Sequence, residues 1–196
     1  MRKGIFAVTC AIFMMAIGLV YGEEVFISDL TPVSSFVHNG LKVDVDYYSE
    51  TIKMDGVEYE KGIVMHVESP QGYSEVIYNI DSKFRTFRAE IGLSHRDAPA
   101  AGSVIFFVYI DDGKGEWIEI YKSEEVIKHE TPTIQLELDI SEASSQLRLY
   151  CTDAGDGNNS DHATFANAFL DTKSVSGLAV GSPGKMAVTW GEIKSR

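Results

Sequence analysis

Cysteine is almost missing from this chain, with two in 196 residues, Cys10 and Cys151. Cys10 lies in the apolar run Ile5 to Val20, between Arg2-Lys3 and the small-residue stretch Val20-Tyr-Gly22. A positive start, an apolar stretch and small residues in that order are expected to be a secretory signal over residues 1–22, cut before Glu23. The run is short for a membrane span and has no stop-transfer flank, so no membrane insertion is expected. Once the leader is removed, Cys151 has no partner for an internal disulfide. The alternation Leu147, Leu149, Cys151 sets it on the apolar face of a strand, buried and inert. Basic residues are scarce as well: 17 Lys and Arg stand against 29 Asp and Glu, a net charge of -12. That balance disfavours nucleic acid and anionic lipid, which both need basic patches. A secreted or periplasmic location follows from the leader.

Catalytic signatures are missing too. There is no Gly-x-Ser-x-Gly elbow, P-loop or His-Glu-x-x-His, and no spacing marks out the two opposed carboxylates of glycoside hydrolysis. The expectation is a protein that is not an enzyme. Nor does any amphipathic helix of useful length occur between residues 25 and 171. The periodicity there is two: Ile134-Gln-Leu-Glu-Leu-Asp-Ile140 alternates perfectly, and Phe87, Ala89 and Ile91 alternate with polar neighbours. Glu75 to Ile80 and Glu116 to Tyr121 follow the same rule more weakly. Val104-Ile-Phe-Phe-Val-Tyr-Ile110 is apolar on both sides and is expected to be a central strand covered on both faces. Turns fall at Asp55-Gly56, Asp112-Gly113 and Lys114-Gly115. Short strands separated by turns predict a single all-β domain, a sandwich or barrel, over residues 23–171. Residues 172–196 read as linker and tail, with Met186, Trp190 and Ile193 on one face of a short helix.

What is present in unusual density is polar loop chemistry. Asp153-Ala-Gly-Asp-Gly-Asn-Asn-Ser-Asp-His162 holds three aspartates, two glycines, two asparagines and a histidine just before the apolar run Phe165 to Leu170. Such a loop gathers hydrogen-bonding groups at a rim, where a rigid sheet protein keeps its binding function. The stretch, with Ser28-Asp-Leu-Thr-Pro32, Gly56-Val-Glu-Tyr-Glu-Lys-Gly-Ile-Val-Met-His66 and Gly102-Ser-Val-Ile-Phe106 in the same order, resembles the NPCBM domain, carbohydrate-binding module family 51. The resemblance covers roughly Val25 to Asp171.

The resemblance implies a jelly-roll β-sandwich, galactose-type glycan ligands and association with a glycoside hydrolase. Sugar binding needs an aromatic face for the C–H patch and polar groups for the hydroxyls. Asp161, His162 and Phe165 follow one another here, the resemblance brings His66 beside them, and Arg96 in the loop Ser94 to Ala101 completes a rim. Bland readings stand next to these. His66 is either a ligand or a satisfied core histidine, Phe165 either a platform or core packing, and Asp153 and Asp156 either ligands or turn caps. The chain departs from the family pattern at Thr164, Phe165 and Asn167 and at Ser94-His95, which suggests shifted or weakened specificity. A structural calcium between an early loop and the final strand is a further implication of the resemblance, with Asp46 and Asn167 as its candidates. The rival reading is a structural or adhesion sandwich that binds protein and has lost its sugar.

Overall fold

A computed structural model describes residues 23–94, 102–124, 126–140 and 144–173. The expected leader, the loop carrying Arg96 and the tail with Trp190 lie outside the described residues. Strands are numbered β1 to β14 in chain order, and all their pairings are antiparallel. The first sheet runs β12 (Ile134–Asp139), β8 (Thr86–Leu93), β14 (His162–Asp171), β6 (Gly62–His66) and β3 (Lys42–Val43), with β1 (Glu24–Phe26) also on β14. The second runs β10 (Trp117–Lys122), β9 (Ser103–Asp111), β13 (Gln146–Thr152), β7 (Tyr73–Asn79) and β2 (Ser34–Phe36), with β11 (Ile127–Lys128) at the start of β9. A separate hairpin joins β4 (Ile52–Met54) to β5 (Val57–Tyr59). Its turn at Asp55-Gly56 has φ of 46° and 77°, the left-handed pair that a two-residue hairpin needs.

The protein is thus an all-β sandwich, and a single 3-10 turn, Ile27–Asp29, is the only helical element among the described residues. No helix there is long and apolar enough to cross a membrane. From β6 to β9 each connection passes from one sheet to the other, as do those from β11 to β14. The inward residues of each strand follow the alternation read from the sequence: Phe87, Ala89 and Ile91 on β8, Leu147, Leu149 and Cys151 on β13, Leu136 and Leu138 on β12. Phe106 and Phe165 meet between the sheets, their ring centroids 5.2 Å apart, and each is fully buried. Burying one such side chain stabilises the fold by about 2–3 kcal/mol.

One strand departs from expectation. β9 lies between β10 and β13 as predicted, but within residues 104–110 only Val104, Phe106, Val108 and Ile110 are buried; Ile105, Phe107 and Tyr109 are half-buried on the outer face. Side chains of the same sheet shield them, with Tyr150 edge-on to Phe107 and Arg148 over the rings of Tyr109 and Tyr150. A run that is apolar on both sides marks a central strand; here its second face is capped by long side chains, not by a third layer.

The first sheet builds its outer layer differently. Ile52, Met54 and Tyr59 of the hairpin pack with Val64 and Ala166, forming a small second core over β6 and β14. The ends of those strands emerge on either side of that cover.

Candidate functional site

His162 opens β14 and pairs with His66, the last residue of β6. Directly opposed residues point to the same face, so the imidazoles meet, their centroids 5.0 Å apart at 80°. The chain then adds three more rings. Tyr47 stacks on His162 at 4.4 Å and 17°, Tyr48 stands edge-on to it at 5.6 Å, and His38 stands edge-on to His66 at 5.0 Å. Polar groups fix the rings: Asn39 Nδ2 donates to the Tyr47 hydroxyl at 2.6 Å, and His38 Nδ1 lies 3.1 Å from Glu68 Oε1.

The site is largely uncharged. His66 Nε2 lies 2.7 Å from the Asn158 carbonyl, which can only accept, so the proton sits on Nε2. His66 Nδ1 is buried without a hydrogen-bond partner. Burial, aided by His38, pushes the His66 pKa down. Burial, then the neighbouring His66, drives His162 down to about 4. Two neutral imidazoles therefore stand beside Tyr48, whose side is half-exposed at 50%.

The loop from Asp153 to Asp161 holds this arrangement from below. Ala154, Gly155, Gly157 and Ser160 all have positive φ, so the chain folds back tightly. Asp153 accepts the Gly155 N–H at 2.9 Å and so caps its own turn. Ser103 at the start of β9 ties the loop down twice, its hydroxyl to Asp156 at 2.7 Å and its N–H to Asp161 Oδ1 at 2.8 Å. A Cβ on Gly102 would collide with the Ser160 carbonyl, so only glycine lets loop and strand approach this closely.

Two expected sugar contacts are corrected by these placements. Asp161 is fully buried and holds the Ser103 amide, while its Oδ2 has no hydrogen-bond partner. Phe165 points into the core against Phe106 and presents no platform. The reason is where β14 begins. With His162 already in the strand, alternation sends residues 162 and 164 outward and 163 and 165 inward. His66 and His162 do come together, although Tyr47 leaves His162 only 5% exposed. Arg96 lies outside the described residues. The residues missed from the sequence are His38, Tyr47 and Tyr48; two adjacent tyrosines in the polar turn Asp46-Tyr-Tyr-Ser49 were the available signal.

The two residues put forward for calcium each have hydrogen-bond partners within the protein. Asp46 Oδ1 accepts the N–H groups of Tyr48 and Glu50, each at 2.8 Å, within its own turn. Asn167 donates its side-chain amide to Glu90 at 3.2 Å and its N–H to the Lys61 carbonyl. The Lys61 ammonium lies 2.6 Å from Asp29 of the 3-10 turn and 2.9 Å from Asp44 just after β3. Among the described residues no three His, Cys, Asp or Glu side chains gather to hold a metal.

Comparisons agree with this architecture. A family model described as NPCBM/NEW2 domain matches residues 23–171. No curated protein matches the chain. Among solved structures, the chain is similar to CBM51 from Clostridium perfringens GH95 in complex with methyl-galactose. That match has 26% identity and a TM-score of 0.64 and covers 76% of this chain and 99% of that one. It is also similar to CBM51-2 with INT domains from Clostridium perfringens ZmpB in complex with GlcNAc, at 29% identity and a TM-score of 0.64 over 76% of this chain. A structure of the M60 catalytic domain with CBM51-1 and CBM51-2 from the same ZmpB matches at 31% identity, with a TM-score of 0.63, over 75% of this chain and 15% of that one. The chain spans 31% of the length of the GlcNAc-bound ZmpB structure.

Proposed function

The chain belongs to the NPCBM/NEW2 family, and on that premise we propose that it is a non-catalytic carbohydrate-binding module with a jelly-roll fold, taking galactose-type glycans. The observation that carries the reading is the rim cluster, where a half-exposed tyrosine ring stands beside two uncharged imidazoles. A pyranose is neutral and amphipathic. Its C–H face packs on a ring such as Tyr48, and its hydroxyls find donors and acceptors in His38, Asn39 and the Glu68 carboxylate. Arg96 stays a proposed sugar contact in this reading. Similarity to a methyl-galactose complex and a GlcNAc complex supports the ligand class. The ZmpB structure with its M60 domain supports an enzyme as the working partner. Export through the leader at residues 1–22 belongs to the same reading.

Calorimetric titration with methyl galactoside and N-acetylglucosamine tests it. We expect binding to one of them, weakened at least ten-fold in Tyr48→Ala, with the thermal midpoint held within a few degrees because that ring is half-exposed. Silence with both sugars refutes the reading.

A protein-binding sandwich remains the second reading, and a specific observation favours it. The outer face of the second sheet carries Tyr73, Phe107, Tyr109 and Tyr150 together, a breadth of aromatic surface that suits protein contacts.

A further inference from the structure

Beyond the hairpin cover, the first sheet's outer face opens into a groove of about 300 Å³. Its apolar wall is Phe26 of β1 and Phe169 of β14, edge to face with centroids 5.9 Å apart. Its polar side comes from three neighbouring strands, with Asn167 of β14, Glu90 of β8, and Gln135 and Glu137 of β12. We propose that this groove is a second sugar subsite, binding one neutral pyranose against the two phenylalanines. The proposal rests on the glycan-binding reading above and extends it to a place the rim residues do not reach.

Three physical arguments select that ligand. The first is electrostatic. Lys61, 5.9 Å from the centre of the Phe26 ring, is held by Asp29 and Asp44. Arg88, 5.8 Å from the centre of the Phe169 ring, is also committed: Nε and Nη2 donate to Glu137, at 3.2 and 2.7 Å, and Nη1 donates to Asp171 at 2.9 Å. With Glu90 also present, carboxylates outnumber them, so an anionic ligand is repelled. Hydroxyl groups, by contrast, donate well to carboxylates. The second is shape: a volume at the small end of ligand clefts suits one ring, not a chain. The third is composition. An aromatic wall facing carboxylates and amides reproduces the apolar and polar sides of a hexopyranose.

The groove also has a defined relation to the rim. His162 and Asn167 are five residues apart on one strand, roughly 17 Å at strand spacing. The β4–β5 hairpin stands between them and reaches the groove through the Tyr59 hydroxyl, which donates to Glu90 at 2.9 Å. Two separate subsites on one face favour branched or clustered glycans through effective concentration.

Amide chemical shifts of the full chain, followed during titration with methyl galactoside and with N-acetylglucosamine, decide the matter. The proposal expects saturable shifts at residues 135–137 and 167–169 that persist in Tyr48→Ala. It expects Gln135→Ala to weaken that response at least three-fold with an unchanged thermal midpoint, since Gln135 is exposed. Phe169→Ala should abolish the response in a protein that retains the dispersed spectrum of the sandwich. Shifts confined to the rim would overturn the groove and leave the module reading intact. Shifts confined to the groove would support the groove and remove the rim site. No shifts with either sugar would overturn both.

Discussion

Asp161 and His162 are chain neighbours that burial moves in opposite directions. Burial, with the charges of Asp156 and Asp153, raises the Asp161 carboxyl from 3.8 to about 7, and burial takes His162 from 6.5 down to about 4. An acid whose pKa rises on folding keeps its proton in the native state after the unfolded chain has lost it. Asp161 therefore lowers stability as pH climbs from about 4 to about 7. A base whose pKa falls on folding does the reverse, so His162 lowers stability as pH drops from about 6.5 to about 4. The two act in opposite senses in the wild type. Asp161→Asn is expected to raise the unfolding free energy at pH 8, read from urea titration, by on the order of 1–4 kcal/mol. It should also uncover a loss of stability as pH falls below 6.5, to which His162 and, in the same direction, His66 contribute. Parallel pH profiles for wild type and variant would count against this account. Residue types in this stretch were legible as polar chemistry. Which of them face solvent was not, because Asp161 is held by Ser103, 58 positions away, and local sequence carries no mark of that bond.

At the level of elements, β14 decides what the first sheet can do. It pairs with β8 on one edge and, on the other, with β6 at its start and β1 at its end. Asn167 sits where the register slips between Ala166 and Phe169, with φ of 44° in the left-handed region. Asparagine tolerates that conformation and a β-branched residue does not. Asn167→Val should cost about 1–2 kcal/mol by urea unfolding, while Asn167→Gly should be close to neutral. A neutral valine variant would show that the bulge relaxes freely. The sequence reading placed the start of this strand at Phe165. The stretch His162-Ala-Thr-Phe-Ala-Asn-Ala-Phe169 mixes small and apolar residues on both faces, so no alternation marks its beginning. The perfect alternation of Ile134 to Ile140, by contrast, predicted β12 almost to the residue.

For the whole molecule, Cys151 reports on the sandwich. It is fully buried in the main core, and burial pushes its thiol far above the usual range. Labelling with a thiol reagent, followed at the peptide containing Cys151, is therefore expected only through global opening, at a rate that tracks denaturant stability. Rapid labelling in native buffer would contradict the placement of β13. The sequence by itself settled the strand content, the buried face of β8, β12 and β13, the acidic character and the family, since period-two patterning and motif order are properties of short stretches. Tertiary structure alone decided that Asp161 and Phe165 turn inward, that Tyr47 and Tyr48 cover the paired histidines, that Lys61 meets both Asp29 and Asp44, and that a groove opens beside Phe169. Each of these depends on which strands from distant parts of the chain lie side by side, and on the register between them, which no window of neighbouring residues encodes.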